Sequence, residues 1–451
     1  MSTTSSQKPG LRAFFVVWIG QVVSLVGTAM SAFALTIWAW QTTGEATALA
    51  LVGFFSFAPQ ILFSPTAGAL VDRWNRKVVM ALSDLASAVV TAAIWLLYVT
   101  GHLEIWHLYV GGFISGTFQA FQWPAYSAAI TTMVEKEHYA RASGMMSLAE
   151  GVSQIFAPPL AAALLAFIGI GGVLFIDLVT FVMALVALLL VPIPTPPRTA
   201  EGEASRSSLW QESLYGFRYI LARPSLLGLQ LTFFWSNFVT TFGFVLATPM
   251  ILARTNNNEL ALGSVQSAFG VGGVLGAVLL SVWGGPKRRI HGVLMGFILA
   301  SLLGETVMGL GRSLPVWMAA AFCTAVLLPI LNGSNQAIWQ SKVAPDVQGR
   351  VFAARRMIAQ ITAPLAMLLA GPLADNIFEP ALRSGDTWLG RLFAPMVGTG
   401  PGAGMAAILV LSGVLGALAG VVGYLIPAIR DVEHLLPDHE TQTIRAEAAH
   451  I

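Results

Sequence analysis

Charge is what this chain has least of. Asp, Glu, Lys and Arg make up 10% of its 451 residues, while 56% are hydrophobic. A soluble domain carries about 25% charged residues, so the composition excludes an ordinary soluble fold. It points to a polytopic membrane protein, and the mean hydropathy of +0.73 agrees. Cysteine is nearly missing: Cys323 stands alone, which rules out an intrachain disulfide. The seven histidines do not cluster with carboxylates at ligand spacing, so no metal is expected. No Gly-Lys dipeptide occurs, which excludes a P-loop and ATP hydrolysis by this chain. The run Gly398-Thr399-Gly400-Pro401-Gly402-Ala403-Gly404 has the wrong spacing for a nucleotide loop and no strand before it. It reads as a turn into the last apolar run. Nothing resembles a nucleophile with its base. The chain is read as a non-enzyme with no cofactor, and nucleic acid is not expected as a partner.

Apolar runs are what the chain has instead. They fall at about 13–40, 47–71, 78–99, 105–133, 143–168 and 171–191, then at about 225–252, 262–284, 291–311, 315–340, 351–378 and 403–427. Each is long enough to cross a bilayer as a helix, which takes about 20 residues. These are spans 1 to 12. The first is too long for a signal-peptide core of about 7–15 residues and is read as retained. The spacing divides the chain into a bundle at 1–191, a linker at 192–224, a second bundle at 225–427 and a polar tail at 428–451. The linker opens with Pro192, Pro194, Pro196 and Pro197. Within Ser207–Leu221, the residues Leu209, Leu214, Phe217 and Ile220 share one helical face, with Arg206 and Arg218 opposite. An amphipathic helix lying on the inner membrane surface is expected. Residues 379–402, rich in Gly and Pro, are expected to be a long outer loop.

The cations set the orientation. With the N-terminus inside, the outer loops hold Arg254, Arg312, Arg383 and Arg391, and the other 20 of the 24 Lys and Arg lie on the cytoplasmic side. That asymmetry follows the positive-inside rule and places both termini in the cytoplasm. The halves also repeat. Gln154-Ile155-Phe156-Ala157-Pro158 in span 5 returns as Gln360-Ile361-Thr362-Ala363-Pro364 in span 11. Ala129-Ile130 followed by Arg141 returns as Ala337-Ile338 followed by Arg350. Matches in the same order and orientation predict two parallel six-helix halves.

The loop between spans 2 and 3 carries the most specific motif. Gly68-Ala69-Leu70-Val71-Asp72-Arg73-Trp74-Asn75-Arg76-Lys77 fits G-x-L-x-D-R-x-x-R-K at every fixed position. Its cations mark a cytoplasmic loop, but a topogenic loop has no need of the Gly or the Asp. The motif resembles the loop 2–3 signature of the major facilitator superfamily. The resemblance implies an all-α polytopic fold with twelve transmembrane helices in two pseudo-symmetric six-helix bundles. It implies gating roles for Gly68, Asp72, Arg73, Arg76, Lys77 and Arg350, with Asp72 facing the start of span 11 when the cytoplasmic side is closed. Asp84, Gln122-Trp123-Pro124-Ala125, Gly349-Arg350-Val351 and the linker stretch Trp210–Tyr219 resemble the bacterial branch of macrolide and enterobactin-type siderophore exporters. Proton-driven drug exporters commonly carry an Arg in span 4, four residues before a Gly. Here Gly112 stands in that place, with Gly116 following, and span 5 has Ala157-Pro158 rather than Gly-Pro.

In the family, spans 1, 4, 7 and 10 line the cavity. The resemblance therefore implies substrate contacts from Gln21, Gln119, Gln122, Trp123, Trp235, Asn237, Asn332, Asn335 and Gln336. Amides and indoles with few charges suit a bulky amphipathic molecule, though each amide could equally be an interhelical hydrogen bond. Acids at bilayer depth are expensive and often functional. Asp84, Glu150, Asp177 and Glu305 all fall inside spans. Asp84 is less than two turns from Lys77, and a structural pair between them is expected. Glu305 is expected to pair or to reach the surface. Glu150 is best placed for a cavity. It stands one turn before Gln154 and two turns before Pro158, so it leads the candidates for proton coupling, with Asp177 and Asp84 behind it. The resulting expectation is a monomeric secondary exporter of the bacterial inner membrane, with a small amphipathic substrate, protons and membrane lipids as partners. A lipid or lysolipid flippase is the alternative within transport, and a non-transporting receptor or assembly partner the alternative outside it.

Overall fold

The computed structural model describes residues 10–71, 74–135, 138–193 and 209–437. Its elements are helices, and no strand occurs among the described residues. Ten helices are long and apolar enough to cross a membrane. One of them, Gly144–Leu190, runs for 47 residues, about twice what a bilayer needs. Its backbone leaves helical geometry at Gly169, with φ 64° and ψ −177°, and the chain turns there between spans 5 and 6. The helix Ile105–Met133 supplies span 4. Together these make the twelve spans of a multi-pass membrane protein. Hydrocarbon offers the backbone no partner, so each span must close its hydrogen bonds internally, as helices do.

The chain folds as two compact units. The first takes in spans 1–6 and residues 257–267 at the start of span 8; the second takes in the linker helix and the rest. In the first unit small residues let helices approach. Gly112 and Gly116 of span 4 lie on Ser56 of span 2, where a Cβ at Gly116 would collide with the Ser56 carbonyl. The second unit uses the same spacing on the other partner: Gly272 and Gly276 of span 8 lie on Phe322 and Val326 of span 10. This is small-xxx-small packing. It explains the glycine at position 112, because an arginine there would have to displace span 2.

Three expectations change. Residues 379–402 are not a loop. Span 11 runs on to Ser384 through a π-helical turn at Ala374–Phe378, and a second helix follows at Trp388–Val397. Thr387 caps that rim helix by accepting the Gly390 N–H at 3.0 Å, and its apolar stripe was hidden among glycines and prolines. The linker helix Leu209–Leu221 does not lay its apolar face on the membrane. Ile220 is buried in the core of the second unit, and Gly216 rests against the Arg350 carbonyl and Ala354 at the start of span 11. The side chains of Leu209 and Leu214 lie outside the described residues. Glu305 pairs with no cation among the described residues and does not reach the surface, and its place is described below.

Beyond span 12, the turns Pro427–Arg430 and Val432–Leu435 fold back on the second unit. Glu433 accepts the backbone N–H groups of Arg289 and Ile290 at 3.2 and 3.0 Å, capping the start of span 9. Lys342 Nζ donates to the carbonyls of Glu433 and Leu436 at 2.6 and 2.5 Å. A carboxylate at a helix N-terminus and a cation at carbonyls are each favourable arrangements. The glycine contact yields a test. Gly116→Val should destabilise by about 1–3 kcal/mol through overpacking, whereas Gly144→Ala, where a Cβ meets nothing within 4 Å, should not. Thermal unfolding of the purified protein in detergent decides this, and equal midpoints would contradict the packing account.

Candidate functional site

The loop signature acts first as a helix start. Asn75 caps span 3, its side chain accepting the N–H groups of Lys77 and Val78 at 3.0 and 3.4 Å. Lys77 Nζ donates to the carbonyls of Leu189 and Val191, both at 2.8 Å. Those carbonyls end span 6, where a cation is favoured. Trp74 stacks on Phe121 of span 4. Gly68 lies in the helix Ala46–Val71 and Arg76 opens span 3. Asp72 and Arg73 lie outside the described residues. Arg350 is exposed on the second unit, its guanidinium 5.1 Å from the Tyr215 ring of the linker helix.

Asp84 does not pair with Lys77, which is turned to span 6. Instead its two oxygens take one amide each: Gln21 Nε2 donates at 3.1 Å and Gln122 Nε2 at 2.5 Å. The carboxyl is 3% exposed, and a buried acid must be compensated in this way. Spans 1, 3 and 4 therefore meet at one polar point. A glutamine can offer either N–H or carbonyl, so this triad can hold Asp84 with or without its proton by turning an amide. Two expected substrate contacts, Gln21 and Gln122, thus each give one N–H to Asp84, which leaves a second N–H and the carbonyl of each amide. Gln119 and Trp123 are exposed.

The other acids differ sharply. Glu150 is exposed, as is Gln154 one turn on, while Ala149, Ser153 and Ala157 of the same helix are buried. Ser153 Oγ donates to the Leu25 carbonyl of span 1 at 3.2 Å. Asp177, 1% exposed, accepts from Thr28 Oγ1 at 3.3 Å and sits beside Gly27. Glu305 is 8% exposed within the π-helical stretch Ala300–Thr306 of span 9. A Cβ added at Gly243 of span 7 would meet its carboxyl at 3.2–3.3 Å, and its Oε2 has no hydrogen-bond partner among the described residues.

In the second unit the polar residues gather on Arg355. Its Nη1 donates to Gln336 Oε1 at 2.9 Å, its guanidinium lies 5.3 Å from the Trp339 ring, and Gln230 Nε2 donates to its carbonyl at 3.2 Å. Asn237 Nδ2 donates to the Ala359 carbonyl at 3.5 Å. Asn335 is buried with Oδ1 unpartnered among the described residues, while Asn332 and Trp235 are exposed. Arg355 was not among the expected site residues. A cation inside a span was the available signal. Among the described residues no group of three His, Cys, Asp or Glu could hold a metal.

The Asp84 triad yields a test of its own. Asp84→Ala leaves two half-buried amide donors without their acceptor, at a total of about 1–3 kcal/mol, and Asp84→Asn strands fewer. The unfolding midpoint should fall in that order, and an Ala variant as stable as its parent would dissolve the triad.

Chain comparison supplies the remaining context. Macrolide efflux protein A of Streptococcus pyogenes is 26% identical over 369 residues, covering 81% of this chain and 90% of that one. Enterobactin exporter EntS of Salmonella typhimurium is 23% identical over 346 residues, covering 75% and 80%. Among solved structures, a bacterial homolog of the human lysosomal transporter Spinster, inward-facing and unoccupied, superposes with a TM-score of 0.67 at 16% identity, covering 92% of this chain and 97% of that one. Residues 17–367 match the Major Facilitator Superfamily as a whole. Twelve spans, the loop signature and this match lead to one conclusion: the chain belongs to the Major Facilitator Superfamily and is a transporter, not an enzyme.

Proposed function

We propose that this transporter is a secondary active exporter that moves a bulky amphipathic organic molecule outward by alternating access, driven by protons. The observation that carries the reading is the likeness to efflux proteins over four-fifths of the chain. The amides and indoles at Gln119, Trp123, Trp235, Asn332 and Gln336 support it, since they offer hydrogen bonds and flat apolar faces with little charge. Uphill export needs an energy source, and the chain has no P-loop. We propose that both termini are cytoplasmic, from the cation asymmetry, that the membrane is a bacterial inner membrane, as for bacterial relatives, and that the protein is a monomer.

Glu150 is the coupling group in this proposal. It is exposed on span 5 with Gln154 on the same face, and Pro158 follows two turns later. Proline removes a backbone donor and lets a helix bend, so protonation of Glu150 has a hinge to act on. Asp177 and Asp84, both buried, stand behind it. Purified protein in proteoliposomes should accumulate a radiolabelled macrolide when an outward-directed proton gradient (acidic lumen) is imposed, and Glu150→Gln should abolish the response to the gradient. A variant that responds as its parent does moves the role to Asp177. Failure to move any amphipathic drug, alongside transbilayer movement of a fluorescent lysolipid, would replace export with lipid flipping.

Asp72 is the gating acid in this proposal, paired with the start of span 11, where about half a positive charge resides. That start is Pro345, so the expected Gly349-Arg350 lies just over one turn inside the helix. A contact made in one state only shifts populations by its own free energy. Asp72→Asn should depress transport with normal expression and raise labelling of cytoplasmic-side cysteines introduced into a Cys323→Ser background. Unchanged labelling with full transport would make the residue a topology signal alone.

A further inference from the structure

The second unit carries a cationic cavity at the end opposite its linker helix. Span 7, Pro224–Arg254, starts beside the linker and ends at Arg254, so the cavity lies one full span away. Its volume is about 350 Å³, and its lining includes Arg254, Asn256, Arg312, Gly398, Gly400 and Pro401. No acid is among the lining residues. Neither arginine makes an ion pair among the described residues. Glu379, the acid whose charge reaches Arg254, does not line the cavity, and its Oε1 is buried without a hydrogen-bond partner among the described residues.

Helix ends hold both guanidinium groups in place. Arg254 Nη1 donates to the Gly311 and Gly309 carbonyls at 2.7 and 3.5 Å, and its Nη2 donates to the Val397 carbonyl at 2.8 Å. Arg312 Nη2 donates to the Met396 carbonyl at 3.2 Å. Two helix C-termini, those of span 9 and the rim helix, supply about half a negative charge each. That offsets about one of two cations which repel one another. A guanidinium has five N–H donors, so at least two on Arg254 and four on Arg312 are not used by these carbonyls. The mouth is open, since a Cβ at Gly400 would meet nothing within 4 Å.

The rim helix fixes the depth of the cavity. Trp388, Leu392 and Met396 lie one turn apart along it and are 69%, 55% and 43% exposed, while Gly390, Phe393 and Val397 are buried. An exposed apolar stripe led by Trp marks a helix in the plane of the membrane interface. The carbonyls that hold the arginines end this helix, so the cavity opens at headgroup level. Two fixed guanidinium groups suit an anion with several oxygens, and the volume has room for more than a bare oxyanion.

We propose that this cavity binds a phosphate group, taken either from a phospholipid headgroup or from free phosphate. The site uses no residue of the export proposal and stands or falls apart from it. Purified full-length protein in uncharged detergent is titrated with inorganic phosphate, with short-chain phosphatidylglycerol and with a phosphate-free monoacylglycerol, at ionic strength matched by chloride. The unfolding midpoint is the readout. A rise with both phosphate compounds assigns a general phosphate site, and a rise with phosphatidylglycerol alone assigns a headgroup site; monoacylglycerol should do nothing. Two variants keep the fold: Arg312→Gln on an exposed side chain, and Gly400→Glu, which sets an acid at the open mouth. Each should raise the half-saturating concentration about tenfold, the loss of one charge-assisted contact. Absence of any rise, or a rise that both variants reproduce at unchanged concentration, overturns the proposal.

Discussion

A helix that crosses hydrocarbon closes every backbone hydrogen bond except those at its ends. Much of the described chemistry of this protein is a response to those ends. Its cations serve carbonyls as much as carboxylates. Lys77 binds the last carbonyls of span 6, and Lys342 those of the turns after span 12. Arg254 and Arg312 bind the ends of span 9 and the rim helix. An acid takes the opposite end at span 9, where Glu433 accepts two backbone N–H groups. A low charge content is therefore concentrated where backbone groups are unpaired.

The same constraint explains the middle of the bundles. Between helices that are apolar all round, lipid competes as well as protein does, so close approach and hydrogen bonds must supply the specificity. Glycine pairs on span 4 and span 8 supply the approach. The Asp84 triad in one unit and the Arg355 cluster in the other supply the hydrogen bonds. One unit is organised on a buried acid with two amide donors, the other on a cation with an amide acceptor and an indole. Each half of the transporter thus has its own polar point linking several helices.

The four intramembrane acids, which the sequence ranked with Glu150 first, sit in different environments. Asp84 is fully partnered, Asp177 rests on Thr28 and Gly27, Glu305 is buried with one oxygen unpartnered among the described residues, and Glu150 is exposed. Transport chemistry needs a group that can exchange a proton and then bias a moving element. Exposure and a nearby proline are what support Glu150 in the proposed coupling role, while the hydrogen bonds of Asp84 tie span 3 to spans 1 and 4.

What the sequence by itself determined is what depends on local length and on motif. Twelve runs of sufficient apolar length specify twelve spans wherever they pack, and the G-x-L-x-D-R-x-x-R-K loop carries the family likeness. The order of charges along the chain supports the proposed orientation without any contact being known. What tertiary structure decided is which way each span is turned. Helices such as Ala46–Val71 and Ile105–Met133 are apolar on every side, so no periodicity marks a buried face. Asp84 could therefore be assigned to its neighbour in sequence, Lys77, when its partners lie 63 and 38 residues away. The linker helix did show its apolar face, but amphipathicity names a face and not its partner, and only the fold placed it on the second unit. The rim helix and its cationic cavity escaped for the reverse reason: glycine and proline hid a short periodic stretch, and the two arginines that share the cavity are 58 residues apart in a chain where distance along the sequence says nothing of distance in space.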